Sequence, residues 1–163
     1  TGIYSILSDN LKSGIDYDTI KEASILHDVG KVFIPSKILN KPAKLTKKER
    51  KIMNIHSILG YELLKTQNIK EEILELVKYH HQNLRKTGYP ILVDGHLPSC
   101  IGVQIISTAD KYSALRESRI YRRGLSKLEA LMILYEEVRT GKILKDVFNA
   151  LVIYAKDYES DAA

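Results

Sequence analysis

The sequence has a single cysteine, Cys100, and no apolar run approaching the ~18 residues that a membrane-spanning helix requires. One cysteine excludes a disulfide framework and every cysteine-rich zinc site, so any metal held by this chain must be held through nitrogen and oxygen. With no candidate span, signal peptide or lipidation motif, a cytoplasmic location is expected, and no membrane contact by this segment. Internal repeats, low-complexity stretches and sustained strand alternation are also missing. So are zinc-finger spacing, RNA-binding aromatic signatures and basic-zipper heptads, which argues against DNA as a partner.

What is present is the balance of an ordinary globular protein: 163 residues, 44% hydrophobic and 28% charged. That is one domain's worth, enough to bury roughly 70% of the unfolded chain's surface. Lys and Arg number 25 against 20 Asp and Glu, a net charge of +5 that suits a phosphate-bearing partner. Much of the excess sits in one solvated stretch, KPAKLTKKERK at 41–51.

The periodicity is helical nearly throughout, which predicts an all-α bundle of about seven helices. Thr46-x-x-Glu49, Asn68-x-x-Glu71 and Ser126-x-x-Glu129 each have the capping-box pattern that opens a helix. After Thr46, residues Ile52, His56, Leu59 and Leu63 share a face; after Asn68, Ile73, Val77 and His80 do the same. Asp16 is placed to cap a helix through Ile20, Ala23 and Leu26 to His27, with Gly30 ending it in a left-handed conformation. Further helices are expected over about 3–11, 101–117 and 144–158, the first a partial N-terminal helix within 1–16. The stretch 84–100, with Gly88, Pro90, Gly95 and Pro98, reads as a long functional loop.

A lone histidine on a buried helix face is usually hydrogen-bonded packing, but here the arrangement is collective. His27 and Asp28 fall at one helix end, His56 on an apolar face, His80 and His81 at another helix end, and Asp110 on the inner stripe of a fourth helix. An isolated Asp110 buried on that stripe would cost several kcal/mol unless a cation compensated it. Mixed imidazole and carboxylate donors suit Fe, Mn, Zn, Ni or Co.

His27-Asp28-Val29-Gly30-Lys31 resembles the HD-x-G-K signature of the HD superfamily of metal-dependent phosphohydrolases, and Gly88-Tyr89-Pro90 after His80-His81 resembles the signature of its HD-GYP branch. Ile34-Pro35, Ala109-Asp110-Lys111-Tyr112 and Arg119-Ile120-Tyr121-Arg122 agree in order, and the match runs from near the start to about Tyr158. The resemblance implies an HD-domain helical bundle that hydrolyses cyclic di-GMP to the linear dinucleotide or GMP. It further implies that 1–163 is the output domain of a longer signalling protein carrying sensor, receiver or diguanylate cyclase domains.

Carried over residue by residue, the resemblance makes Asp28 a bridge between two divalent transition-metal ions. His27 and Asp110 would sit on the first, and His56, His80 and His81 on the second. Such a pair, about 3.5–4 Å apart, shares a bridging hydroxide and clamps a phosphodiester for in-line attack. Lys31 would join Asp28 as a catalytic residue by neutralising a phosphate oxygen. Arg119 and Arg122 would bind substrate through their guanidinium forks, and Gly88, Tyr89 and Pro90 would form the pocket wall.

The chain departs from the family pattern in four places. The family's histidine about 30 residues before the HD pair has no counterpart in the first 26 residues, so it lies before Thr1 or the first metal site is one ligand short. Gln82 and Arg85 replace acidic residues, Ser57 replaces a proline, and Ser113 replaces an acidic residue. Loss of carboxylates around histidine ligands can cost ten- to a hundredfold in metal affinity or activity. Two alternatives follow: a non-hydrolysing module that binds cyclic di-GMP or a protein, and an HD phosphohydrolase acting on another nucleotide.

Overall fold

Helix α8 (Cys100–Arg116) is the element around which the others are packed, and its sequence explains why. Every residue from Gly102 to Thr108 is buried, so the helix has no solvent side over those two turns. In the computed structural model, residues 1–12, 14–92, 95–97, 100–118 and 123–159 are described. They form α1 (Gly2–Ile6), α2 (Asp9–Lys12), α3 (Tyr17–Leu26), a 3₁₀ turn (Val29–Phe33), α4 (Ser36–Leu39), α5 (Lys47–Asn54), α6 (His56–Lys65), α7 (Glu71–Tyr79), α8, α9 (Lys127–Arg139) and α10 (Lys145–Tyr158). No strand occurs among the described residues, and no helix there is long and apolar enough to cross a membrane.

The fold is all-α, as expected, with two of the seven expected segments interrupted and one short helix, α4, added. The segment over 3–11 divides into α1 and α2. The segment after Thr46 breaks at Ile55, whose amide bonds to Ile52 O at 3.3 Å, three residues back. Helices α3, α7, α9 and α10 pack against α8, and α1 lies along α10. Ile20, Leu76, Val77, Val103, Ile105, Leu134 and Leu151 are at most 1% exposed and form the shared core.

Local capping sets most helix starts. Asp16 accepts from Thr19 N at 2.9 Å, and capping boxes close at Thr46–Glu49 and Ser126–Glu129. The Asn68 box does not form. Lys70 is extended, with ψ at 136°, so α7 starts at Glu71 and two acidic residues complement its first turn instead.

Gly30 is also not the left-handed cap expected of it; it lies inside the 3₁₀ turn and is absent from the positive-φ residues. Its role is close approach. A Cβ at position 30 would stand 2.0 Å from His56 O and 2.4 Å from Gly60 N, so only glycine lets the HD segment lie directly on α6.

Candidate metal centre

Three histidines reach the site from helix ends, and the same local device orients each. His27 Nδ1 donates to Ser24 O at 2.8 Å, His56 Nδ1 to Met53 O at 2.8 Å and His80 Nδ1 to Val77 O at 2.7 Å. Each carbonyl lies three residues back, in the last turn of α3, α5 or α7, where a helix leaves its final carbonyls without amide partners. The Nδ1 protons are thereby committed, which leaves Nε2 as the nitrogen each ring directs inward.

These inward nitrogens converge. His56 Nε2 lies 3.3 Å from His80 Nε2 and 3.3 Å from His81 Nε2, and Asp28 Oδ1 is 3.3 Å from His56 Nε2. On the other side of Asp28, its Oδ2 is 3.4 Å from His27 Nε2, which in turn faces Asp110 Oδ1 at 3.8 Å. Two donor sets result, Asp28–His56–His80–His81 and His27–Asp28–Asp110, with Asp28 common to both and the donor atoms within each set no more than 4.8 Å apart.

The donor chemistry fits metal ions. With Nδ1 donating on both His56 and His80, the neutral form of each ring has only a lone pair at Nε2, and these two nitrogens face each other across 3.3 Å. A cation relieves that opposition. An ion with four ligands at about 2.0–2.1 Å sets them roughly 3.3 Å apart. Burial lowers His80 to about 4 and also lowers His81, which favours the neutral imidazoles that can serve as donors. Burial opposes charge on His27 as well, but the carboxylates of Asp110 and Asp28 outweigh it and raise that imidazole above its ordinary value. The pair of acids thus draws a positive charge into the smaller set.

Lys31, one turn beyond Asp28 in the 3₁₀ segment, places Nζ 2.5 Å from Asp28 Oδ2. Burial would raise the Asp28 carboxyl, yet its contacts with His27, His56 and Lys31 hold it well below the usual carboxylate range. Tyr89 lies with its ring 4.5 Å from that of His81 at an interplanar angle of 33°, and 6.3 Å from His56. Gly88 is required there because a Cβ would stand 2.1 Å from His81 O.

Six expected ligands and the Gly88–Pro90 turn are therefore brought together around Asp28. Arg119 and Arg122 lie outside the described residues. Their neighbour Arg123 is exposed and lines, with Arg116, Ser118 and Ser126, a cleft of about 620 Å³. Sequence reasoning missed the cluster that supports the chain on either side of 119–122. Arg116 donates to Leu125 O at 3.0 Å and pairs with Glu159 at 3.7 Å, and Glu159 also accepts from Tyr112 at 2.8 Å. No local pattern links Arg116 to a carboxylate 43 positions later.

A family model described as an HD domain matches residues 5–145. The chain is 33% identical over 137 residues to 3′3′-cGAMP-specific phosphodiesterase 1 of Vibrio cholerae, covering 82% of this chain and 31% of that protein. It is 37% identical over 122 residues to the cyclic di-GMP phosphodiesterase response regulator RpfG of Xanthomonas campestris pv. campestris, covering 72% and 32%. It is 30% identical over 158 residues to the cyclic di-GMP phosphodiesterase PdeB of Borreliella burgdorferi, covering 93% and 41%. The chain spans about a third of the length of these curated relatives. The HD domain of the L. monocytogenes phosphodiesterase PgpH, crystallised with cyclic-di-AMP, has the same fold, with a TM-score of 0.59 over 98% of this chain and 93% of that one at 19% identity.

Proposed function

Because the chain belongs to the HD-domain family, we propose that it is a metal-dependent phosphodiesterase that hydrolyses cyclic di-GMP to the linear dinucleotide or GMP. The activity for which RpfG and PdeB are named supports that substrate class. One observation carries the reading: with Nδ1 of each ring held by a carbonyl, His56 and His80 turn their Nε2 atoms toward each other at 3.3 Å, beside a carboxylate that belongs to two donor sets.

In this reading His27, Asp28 and Asp110 hold one ion, and Asp28, His56, His80 and His81 hold the other, the ions drawn from Fe, Mn, Zn, Ni and Co. A bound pair would supply a nucleophile at neutral pH and neutralise phosphate charge. The chain's own groups do the remainder. Carbonyls of Ser24, Met53 and Val77 fix three imidazoles, so their geometry is set before any ligand arrives. Lys31 carries a positive charge beside Asp28, where a nonbridging phosphate oxygen gathers charge. Tyr89, with Gly88 and Pro90, walls the imidazole side and limits water at His81. Arg119 and Arg122 bind the dinucleotide by paired donors to phosphate or guanine. The domain serves as the output part of a longer signalling protein, with sensor, receiver or diguanylate cyclase domains as companions, in the cytoplasm where such nucleotides are made.

A second reading keeps the chemistry and changes one base, because three relatives of 33–40% identity are named for 3′3′-cGAMP. Protein loaded with Mn²⁺ or Fe²⁺, incubated separately with cyclic di-GMP and 3′3′-cGAMP and analysed by chromatography, distinguishes the two. Linear product from cyclic di-GMP with wild type, and none with Asp28→Ala, is the expected result. Intact substrates over metal-loaded wild type would overturn hydrolysis and leave a binding module.

A further inference from the structure

One side chain runs through the middle of the turn that follows the paired histidines. Gln82 is 0% exposed, directly after His81, and its carboxamide spans the turn. Gly88 N donates to Gln82 Oε1 at 3.1 Å, and Gln82 Nε2 donates to Pro90 O at 2.5 Å. A backbone N–H can only donate and a carbonyl can only accept, so these partners fix which end of the amide is which. They also demand a group that accepts at one end and donates at the other. A carboxylate accepts at both ends; it would serve Gly88 and turn its second oxygen against the Pro90 carbonyl.

Between the two anchor points stands Tyr89, the residue whose ring lies 4.5 Å from His81. His27, His56 and His80 have Nδ1 fixed by a backbone carbonyl, whereas His81 Nδ1 faces Asp110 Oδ2 at 3.9 Å, beyond hydrogen-bond reach. The His81 ring is braced by Tyr89 instead. The base of the turn is fastened independently: Arg85 N donates to Asn83 Oδ1 at 2.9 Å, and Leu84 N donates to Lys142 O at 3.1 Å. Removal of the Gln82 bonds would therefore free the tip that carries Tyr89 without releasing the whole loop.

We propose that Gln82 is a positioning residue whose carboxamide holds the Gly88–Pro90 turn so that Tyr89 packs on His81 and sets the orientation of that imidazole. The glutamine thus has a structural use of its own in this turn. The link to ligation rests on the function proposed above, but the turn and the ring contact exist in the metal-free protein and are tested there.

Gln82→Glu, Gln82→Leu and Tyr89→Leu are compared with wild type by NMR of the metal-free full chain. Amide exchange at Gly88 reports the turn, and the His81 ring-proton shifts report the aromatic contact. Gln82→Leu should accelerate Gly88 exchange about tenfold or more, the scale of one lost hydrogen bond, and Gln82→Glu, which keeps an acceptor for Gly88 and loses only the Pro90 bond, by a smaller factor. They should also move the His81 shifts in the direction given by Tyr89→Leu, while exchange in α8 stays at the wild-type rate. The Co²⁺-loaded protein adds a spectroscopic signature: the ligand-field bands of Gln82→Glu and Tyr89→Leu should shift alike. Wild-type Gly88 protection in Gln82→Leu, or unmoved His81 shifts in Gln82→Glu, would overturn the proposal, since Leu removes both bonds and Glu keeps the size of the side chain while removing only the donor. Unchanged cobalt bands with moved His81 shifts would also overturn it, by showing that the ring's orientation does not matter to ligation. If wild type takes up no cobalt, the metal reading fails and the two NMR measurements alone decide the role of Gln82.

Discussion

Alanine at position 30 perturbs the site through backbone packing alone and replaces none of the candidate ligands. The added Cβ would stand 2.0 Å from His56 O and 2.4 Å from Gly60 N, both main-chain atoms that no rotamer change can move. Non-bonded heavy atoms settle at about 3.5 Å, so the 3₁₀ turn must withdraw from α6 by ~1 Å or more. Asp28 Oδ1 now lies 3.3 Å from His56 Nε2, and a withdrawal of that size takes the shared carboxylate out of reach of the second donor set. Overpacking of this kind costs about 1–3 kcal/mol, which for a domain of this length lowers Tm by roughly 3–10 °C. Thermal unfolding of the metal-free protein, with metal content of the loaded protein measured by mass spectrometry, reads both effects. Gly30→Ala should unfold earlier and hold less than half the wild-type metal. Gly141, at φ 70° with nothing near its missing Cβ, provides the contrast: Gly141→Ala should cost about 1 kcal/mol of backbone strain and leave metal content unchanged. Wild-type Tm and metal content in Gly30→Ala would refute the close-approach argument.

Other outcomes follow from single contacts. Arg122→Ala should weaken binding of the dinucleotide by tenfold or more, a charge-assisted bond's worth, with metal content unchanged; an equal fall in metal would make Arg122 structural. Ser57 Oγ is fully buried with no hydrogen-bond partner among the described residues, so Ser57→Ala should raise stability in denaturant by about 1 kcal/mol, and a loss of that size would contradict the assignment. Glu49, bonded to Lys41 and to the Thr46 cap, is held down at about 2 from an ordinary 4.5. Its contribution to α5 is complete above pH 4.5 and is lost as pH falls toward 2, so Glu49→Gln should flatten stability across that window, as measured by acid titration of the circular dichroism signal.

Where a feature depended on neighbours in sequence, it was legible. The caps at Asp16, Thr46 and Ser126 formed as the residues suggested, because a side-chain oxygen and an amide three residues on need no tertiary help. Asn68 failed for want of a helical Ile69–Lys70, and nothing in the pattern showed that α7 would open later. The set of six candidate ligands was visible as residue types in order, and their convergence on Asp28 follows from the packing of α3, α6, α7 and α8. Ring orientation was not visible. It depends on where α3, α5 and α7 stop, since only the final turn leaves a carbonyl free for the imidazole, and helix ends are the least determined feature of a periodic pattern. Gly30 was recognised as special for the wrong reason, because a residue in contact with a helix 26 positions away cannot be told from a turn former. Gln82 read as a lost acid until its two partners, six and eight residues ahead, gave the amide a purpose of its own.

Crystals grown with Mn²⁺ and measured at the manganese edge test the shared-carboxylate claim most directly. The anomalous map should show two peaks on either side of Asp28, one within bonding distance of His56, His80 and His81, the other of His27 and Asp110. No peak between the three imidazoles, or one ion that leaves Asp28 unbound, would contradict it.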